Sequence, residues 1–205
     1  MSVCIYFVFA GNAKERALAT VEQVKNSLQE RLLEVEWMQP QTKEAALLKI
    51  AAFAVKIGYP DKWLDYSSLL PSENNHIENV MRAGQYHFNL ELSRMNAPTD
   101  RSRWFMTPQT VNAYYHPSLN EIVFPAAILQ PPFFDPQADD AINFGSLGAV
   151  VGHEMTHGFD DQGRKYDHQG NMRDWWTPAD SAEYENRAAN MIKCVTTRVD
   201  QSMTL

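Results

Sequence analysis

Val150-Val151-Gly152-His153-Glu154-Met155-Thr156-His157 is the stretch that decides how this chain is read. It is an H-E-x-x-H inside a run of helical character that begins near Asn143 or Ser146, and the pattern predicts a helix over 143–159. His153 and His157 stand one turn apart, so Ser146, Val150, His153 and His157 share a face and both imidazoles can reach one ion. Glu154, next to the first histidine, falls beside that ion rather than on it, which is where a general base for a water molecule is needed. One zinc ion adds what side chains lack: it lowers the pKa of water toward roughly 7 and polarises a carbonyl. The bland alternative is a solvated face that happens to carry two histidines. Gly148 and Gly152 argue against it, because each costs a helix about 1 kcal/mol relative to Ala and so points to close packing against the backbone.

A third ligand is less legible. The extended metzincin pattern needs glycine at position 160 and histidine at 163, whereas the chain has Asp160 and Gly163, so that class is excluded. A glutamate on a later helix is the other common solution, and after the motif only Glu183 and Glu185 occur, on a helix predicted over 178–195. Both can equally face solvent. Asp160 and Asp161 follow His157 closely enough to orient an imidazole from behind, or to cap the next turn.

Upstream of the motif, Thr110–His116 is rich in β-formers, Pro117-Ser118-Leu119-Asn120 makes a turn, and Glu121–Phe124 returns before Pro125. This predicts a hairpin over 109–125. Its edge offers backbone N–H and C=O groups of the kind by which extended peptides are held. Farther out lie three helical runs spread over 12–95. The first, Asn12–Glu36, carries Ala17, Val21, Val24, Leu28 and Val35; the second, Thr42–Ile57, carries Ala45, Leu48, Ala52 and Val55 and stops at Gly58-Tyr59-Pro60. The third, around Ser72–Met95, carries Ile77, Val80, Met81 and Phe88, and all three stripes are expected to form core. Val3–Ala10 reads as a strand or core segment, too short to span a bilayer.

The 205 residues carry a net charge of −7 without a Lys/Arg cluster, which argues against nucleic-acid binding, and no membrane association is encoded. Cys4 and Cys194 make no disulfide framework. With no repeat or flexible linker, one continuous domain is expected, mainly α with a small β-hairpin or sheet.

His153–Asp161, preceded by Asn112-Ala113-Tyr114-Tyr115, Ile122-Val123-Phe124-Pro125 and Leu129–Phe134, resembles the neprilysin and endothelin-converting-enzyme family of zinc metalloendopeptidases. The resemblance extends from about Ile5, through Trp37-Met38 and Ile57-Gly58-Tyr59-Pro60, to Asp174-Trp175-Trp176-Thr177. It implies a thermolysin-like zincin catalytic lobe that cleaves peptides on the amino side of hydrophobic residues, acting outside the cytoplasm. By motif position His153 and His157 bind zinc and Glu154 is the base. Asn112 and Ala113 match the strand that holds substrate backbone, and Phe133 and Val150 match positions lining the apolar pocket for the residue after the scissile bond.

The chain also departs from that pattern. The family takes its third ligand from a downstream Glu-x-x-x-Asp, which this sequence lacks, and the ending Thr196–Leu205 does not resemble the family. The chain is therefore expected to be an incomplete catalytic lobe, a fragment without the third zinc ligand. Two readings stand: a zinc metalloendopeptidase or a piece of one, and a catalytically inactive remnant or peptide-binding module.

Overall fold

Helix α1, Ala13–Glu34, forms where Ala17 and Val21 recur one turn apart; both are fully buried, and Val24 and Leu28 extend the stripe half-buried. In the computed structural model, which describes residues 12–202, α1 packs on helix α2 (Pro40–Ala51), on strand β1 (Ala54–Gly58) and on the helix that bears the H-E-x-x-H motif. The segment Val3–Ala10 lies outside the described residues. The chain divides into two compact units where one continuous domain was expected: Met1–Tyr59 with Met106–Leu205, and Pro60–Phe105.

Among the described residues, the first unit is organised on a three-stranded sheet of order β1-β3-β2. Strand β3, Glu121–Pro125, is central and buried along its whole length, with β1 parallel to it (Ala54↔Glu121 to Gly58↔Pro125). Strand β2, Tyr114–His116, pairs antiparallel on the other side and forms an edge (Tyr114↔Val123 to His116↔Glu121). Ile122, Val123 and Phe124 are fully buried, each contributing on the order of 1.5–3 kcal/mol by transfer. Glu121, equally buried, pairs with Lys56 of β1 at 2.6 Å.

The expected helix over Thr42–Ile57 is corrected at its end and in its phase. It stops at Ala51, because Val55 and Ile57 are worth more in the parallel ladder with β3, where β-branched side chains pack well. The buried face is Thr42, Ala46, Lys49 and Ile50, while Leu48 is 53% exposed and Ala52 is exposed. Two polar residues on the inner face hid the true phase.

The hairpin is shorter than predicted. Continuing its register would set Asn112 opposite Pro125, which has no N–H to give, so the ladder stops at Tyr114 and Asn112-Ala113 run on beyond it. The motif helix, predicted over 143–159, starts earlier. Asp139 caps it by accepting from Ala141 N–H (2.8 Å), α4 spans Asp140–Asn143, one π-helical turn covers Phe144–Gly148, and α5 spans Ala149–His157. The last helix, α6, runs Pro178–Ser202, past the predicted end at 195.

In the second unit, helix α3 (His76–Arg94) is capped by Asn75, whose side chain accepts from Glu78 N–H at 3.0 Å. The expectation that its stripe forms core is overturned: no residue of α3 is buried, and Ile77 and Met81 are 74% and 70% exposed. This unit contains one helix and loops, so it has no second layer against which that stripe can be buried.

Candidate active site

Helix α5 and the hairpin edge face each other across a cleft of about 370 Å³, lined by Asn112, Ala113, Tyr115, His153, Glu154 and His157 among others. The helical spacing does what the sequence predicts: His153 Nε2 and His157 Nε2 lie 3.0 Å apart, with ring planes at 82°. Zinc held at roughly 2.0–2.1 Å from each of two nitrogens in tetrahedral geometry sets them roughly 3.3 Å apart, so the pair fits an ion with a shift of a few tenths of an ångström.

Behind His157, Asp160 Oδ2 lies 2.7 Å from Nδ1. This contact fixes the proton on Nδ1 and leaves the Nε2 lone pair facing the cleft, the usual arrangement for an imidazole ligand. Burial disfavours the charge of Asp160, yet N–H donation from Gly163 (2.7 Å) and Gln162 (3.0 Å) and the partnership with His157 outweigh it and hold the carboxyl below its ordinary range. Gly163 reaches this position only as glycine, because a Cβ there would stand 1.7 Å from the His157 carbonyl oxygen.

Glu154 is 6% exposed, and burial pushes its carboxyl above the ordinary range; the two imidazoles and a hydrogen bond from the Tyr115 backbone N–H act in the opposite sense. That bond ties the motif helix to strand β2. A buried carboxylate of raised proton affinity beside the convergent imidazoles is well suited to take up a proton.

The remaining candidates divide. Asn112, exposed, and Ala113, buried, line the cleft. Phe133 and Val150 do not line it; they lie half-buried against the core, with the Phe133 carbonyl accepting from Ser146 Oγ at 2.7 Å. Asp161 accepts from the Gln162 side chain, Glu183 pairs with Arg187 (2.7 Å), and Glu185 pairs with Arg164. Among the described residues no group of three or more His, Cys, Asp or Glu is arranged to hold an ion, so these carboxylates do not complete the imidazole pair. The packing inferred from Gly148 and Gly152 holds only at the first: a Cβ on Gly148 meets Phe144 at 3.3 Å, while one on Gly152 meets nothing within 4 Å. Two contributors went unnoticed in the sequence, the Tyr115 N–H and Gly163. A backbone donor leaves no sequence signal, but Asp160 followed three residues later by a glycine is the pattern of a carboxylate-capped turn.

Two models of "Peptidase family M13" match the chain, over residues 4–60 and 112–204. The second match runs into the ending that had looked unlike the family. The endothelin-converting enzyme homolog of Locusta migratoria is 42% identical over 175 residues, covering 82% of this chain and 24% of that protein. Endothelin-converting enzyme 1 of Bos taurus is 38% identical over 192 residues, covering 90% and 26%. Among solved structures, the zinc metalloprotease Zmp1 of Mycobacterium tuberculosis in complex with an inhibitor superposes with a TM-score of 0.86 at 52% identity, over 88% of this chain and 28% of that one. The chain thus spans about a quarter of the length of the relatives it matches.

Proposed function

This chain belongs to peptidase family M13, and from that premise we propose that it carries the histidine pair and general base of a zinc metalloendopeptidase site that cleaves peptides on the amino side of hydrophobic residues. The observation that carries the proposal is the convergence of His153 and His157 Nε2, 3.0 Å apart, on a cleft that also holds the buried carboxyl of Glu154.

His153 and His157 would hold zinc through Nε2, with Asp160 setting the tautomer of the second. Zinc, if bound there, would supply Lewis-acid chemistry, polarising a carbonyl and acidifying a water. Glu154 takes the proton of the attacking water on its carboxylate and returns it to the leaving amine, a role its raised proton affinity favours. Asn112 and Ala113, running on from the edge strand, hold the substrate backbone extended, as in β-augmentation. Action outside the cytoplasm follows from the family resemblance; among the described residues no helix is long and apolar enough to cross a membrane.

The test is a zinc-loaded chain assayed on a peptide with a hydrophobic residue after the scissile bond. Chelator-sensitive cleavage that Glu154→Gln lowers by about 10²–10⁴-fold, with zinc content unchanged, supports the reading; retained cleavage in Glu154→Gln overturns it. The lack of a third donor among the described residues favours one second reading, a non-catalytic peptide-binding module, for which the same peptide binds uncleaved.

A further inference from the structure

Lys49 is among the largest fully buried side chains of the described residues, and nothing in the chemistry above uses it. Its Nζ donates to three backbone carbonyls, Gly158 (2.7 Å), Gly163 (2.7 Å) and Tyr166 (2.6 Å). An ammonium has three N–H donors and each is satisfied. The rings of Tyr115, Phe159 and Trp175 stand 5.7–5.8 Å from the nitrogen and add cation–π attraction. Burial lowers the pKa to about 8, against the pull of Asp167 and Asp160, so the group is cationic at neutral pH.

The three carbonyls all belong to the segment that leaves the motif helix. Gly158 caps α5 directly after His157, and Gly163 is the residue whose N–H holds Asp160 Oδ1. A continuous path therefore runs from the Lys49 ammonium to the Gly163 carbonyl, from the Gly163 N–H to Asp160, and from Asp160 to His157 Nδ1, with each contact at 2.7 Å. Gly163 is also pressed against the His157 carbonyl oxygen. If Lys49 only filled space, an apolar side chain of equal length would serve, and no cation would be needed beside Asp160.

We propose that Lys49 is a positioning residue for the metal ligand His157, acting through Gly163 and Asp160. The cation fixes the turn that aims the Asp160 carboxylate, and that carboxylate in turn fixes the ring. The inference rests on the reading of His153 and His157 as zinc ligands.

Zinc affinity of the whole chain, measured by calorimetry at pH 7, tests it in a double-mutant cycle of Lys49→Met and Asp160→Asn, with circular dichroism and urea melting as controls on folding. Each single variant is expected to bind zinc about 10–100-fold more weakly. Because both act on one path, the double variant should bind within about threefold of Asp160→Asn alone. A folded Lys49→Met with the affinity of the parent, or losses that multiply in the double variant, overturns the proposal. If Lys49→Met does not fold, the parent chain decides: linkage is reciprocal, so saturating zinc must move the NMR resonance of the Lys49 ammonium, and an unmoved resonance overturns it. A parent that binds no zinc through His153 and His157 overturns the metal-site reading and this inference with it. Zinc binding by the parent with no effect of Lys49→Met removes the inference alone.

Discussion

The two imidazoles of the motif are alike in sequence and unlike in support. His157 is held from behind by Asp160, whose Oδ1 accepts from two backbone N–H groups, and a glycine is wedged against its carbonyl. His153 is exposed, and among the described residues its ring has one polar partner, the Nε2 of His157. On the proposed reading, one imidazole is set by the fold before any ion arrives, and the other would gain its order only on binding, at a cost in side-chain entropy.

Removing each ring is the severest way to break that contrast. His153→Ala and His157→Ala should each lower zinc affinity by about 100-fold or more, and His157→Ala should lose the more, since it removes the preorganised ligand. Equal losses by calorimetry would mean that the support behind His157 does not matter to binding.

The glycines beside the two ligands sharpen it next. Gly163→Ala forces a Cβ to within 1.7 Å of the His157 carbonyl oxygen, and a loss of about 3 kcal/mol or more is expected in urea unfolding. Gly152→Ala meets nothing within 4 Å and gains helix propensity, so it should be neutral or stabilising by up to about 1 kcal/mol. A smaller contrast lies in the hydrogen bonds. Asp160→Asn should weaken zinc binding about 10–100-fold. Thr156→Ala removes only a hydroxyl that donates to the His153 carbonyl at 2.8 Å, and affinity within about twofold of the parent is expected.

The remaining effect is on pH dependence. The pKa of Lys49 is lowered in the fold to about 8 from an ordinary 10.5, so between those values the unfolded chain binds more protons than the folded one. Stability from this group therefore rises with pH across that window. Unfolding free energies measured from pH 8 to about 10.5 should show the parent gaining on Lys49→Met as pH increases. A difference that stays flat would place the Lys49 pKa near its ordinary value.

What could be read from the sequence follows the same division between local and assembled features. The H-E-x-x-H spacing, the turn after His116 and the stripe of Ala17 and Val21 are set by neighbours along the chain, and periodicity exposes them. The end of α2 at Ala51 was hidden because β1 depends on a partner strand that begins at Glu121. Lys49 and Thr42 occupy inner positions that a hydrophobic pattern assigns to the outside. Thr42 is there because its Oγ1 accepts from Thr177 N–H (3.2 Å), a contact no local pattern reports. Asp160 was legible as a residue able to orient an imidazole; the turn that aims it, built by Lys49 and Gly163, was not.

The parallel pairing of β1 with β3 also sets an order of events for the newly made chain. The hairpin of β2 and β3 closes over a few residues and forms quickly, whereas Ala54 must find Glu121 across the whole intervening segment, including all of Pro60–Phe105. Loop-closure entropy grows only with the logarithm of length, at about 0.6 kcal/mol per doubling. That segment can therefore lengthen or shorten at little thermodynamic cost, while the rate at which the two sequence-distant halves of the sheet meet, and hence the time before α2 can bring Lys49 to the turn behind His157, depends on how fast that encounter happens.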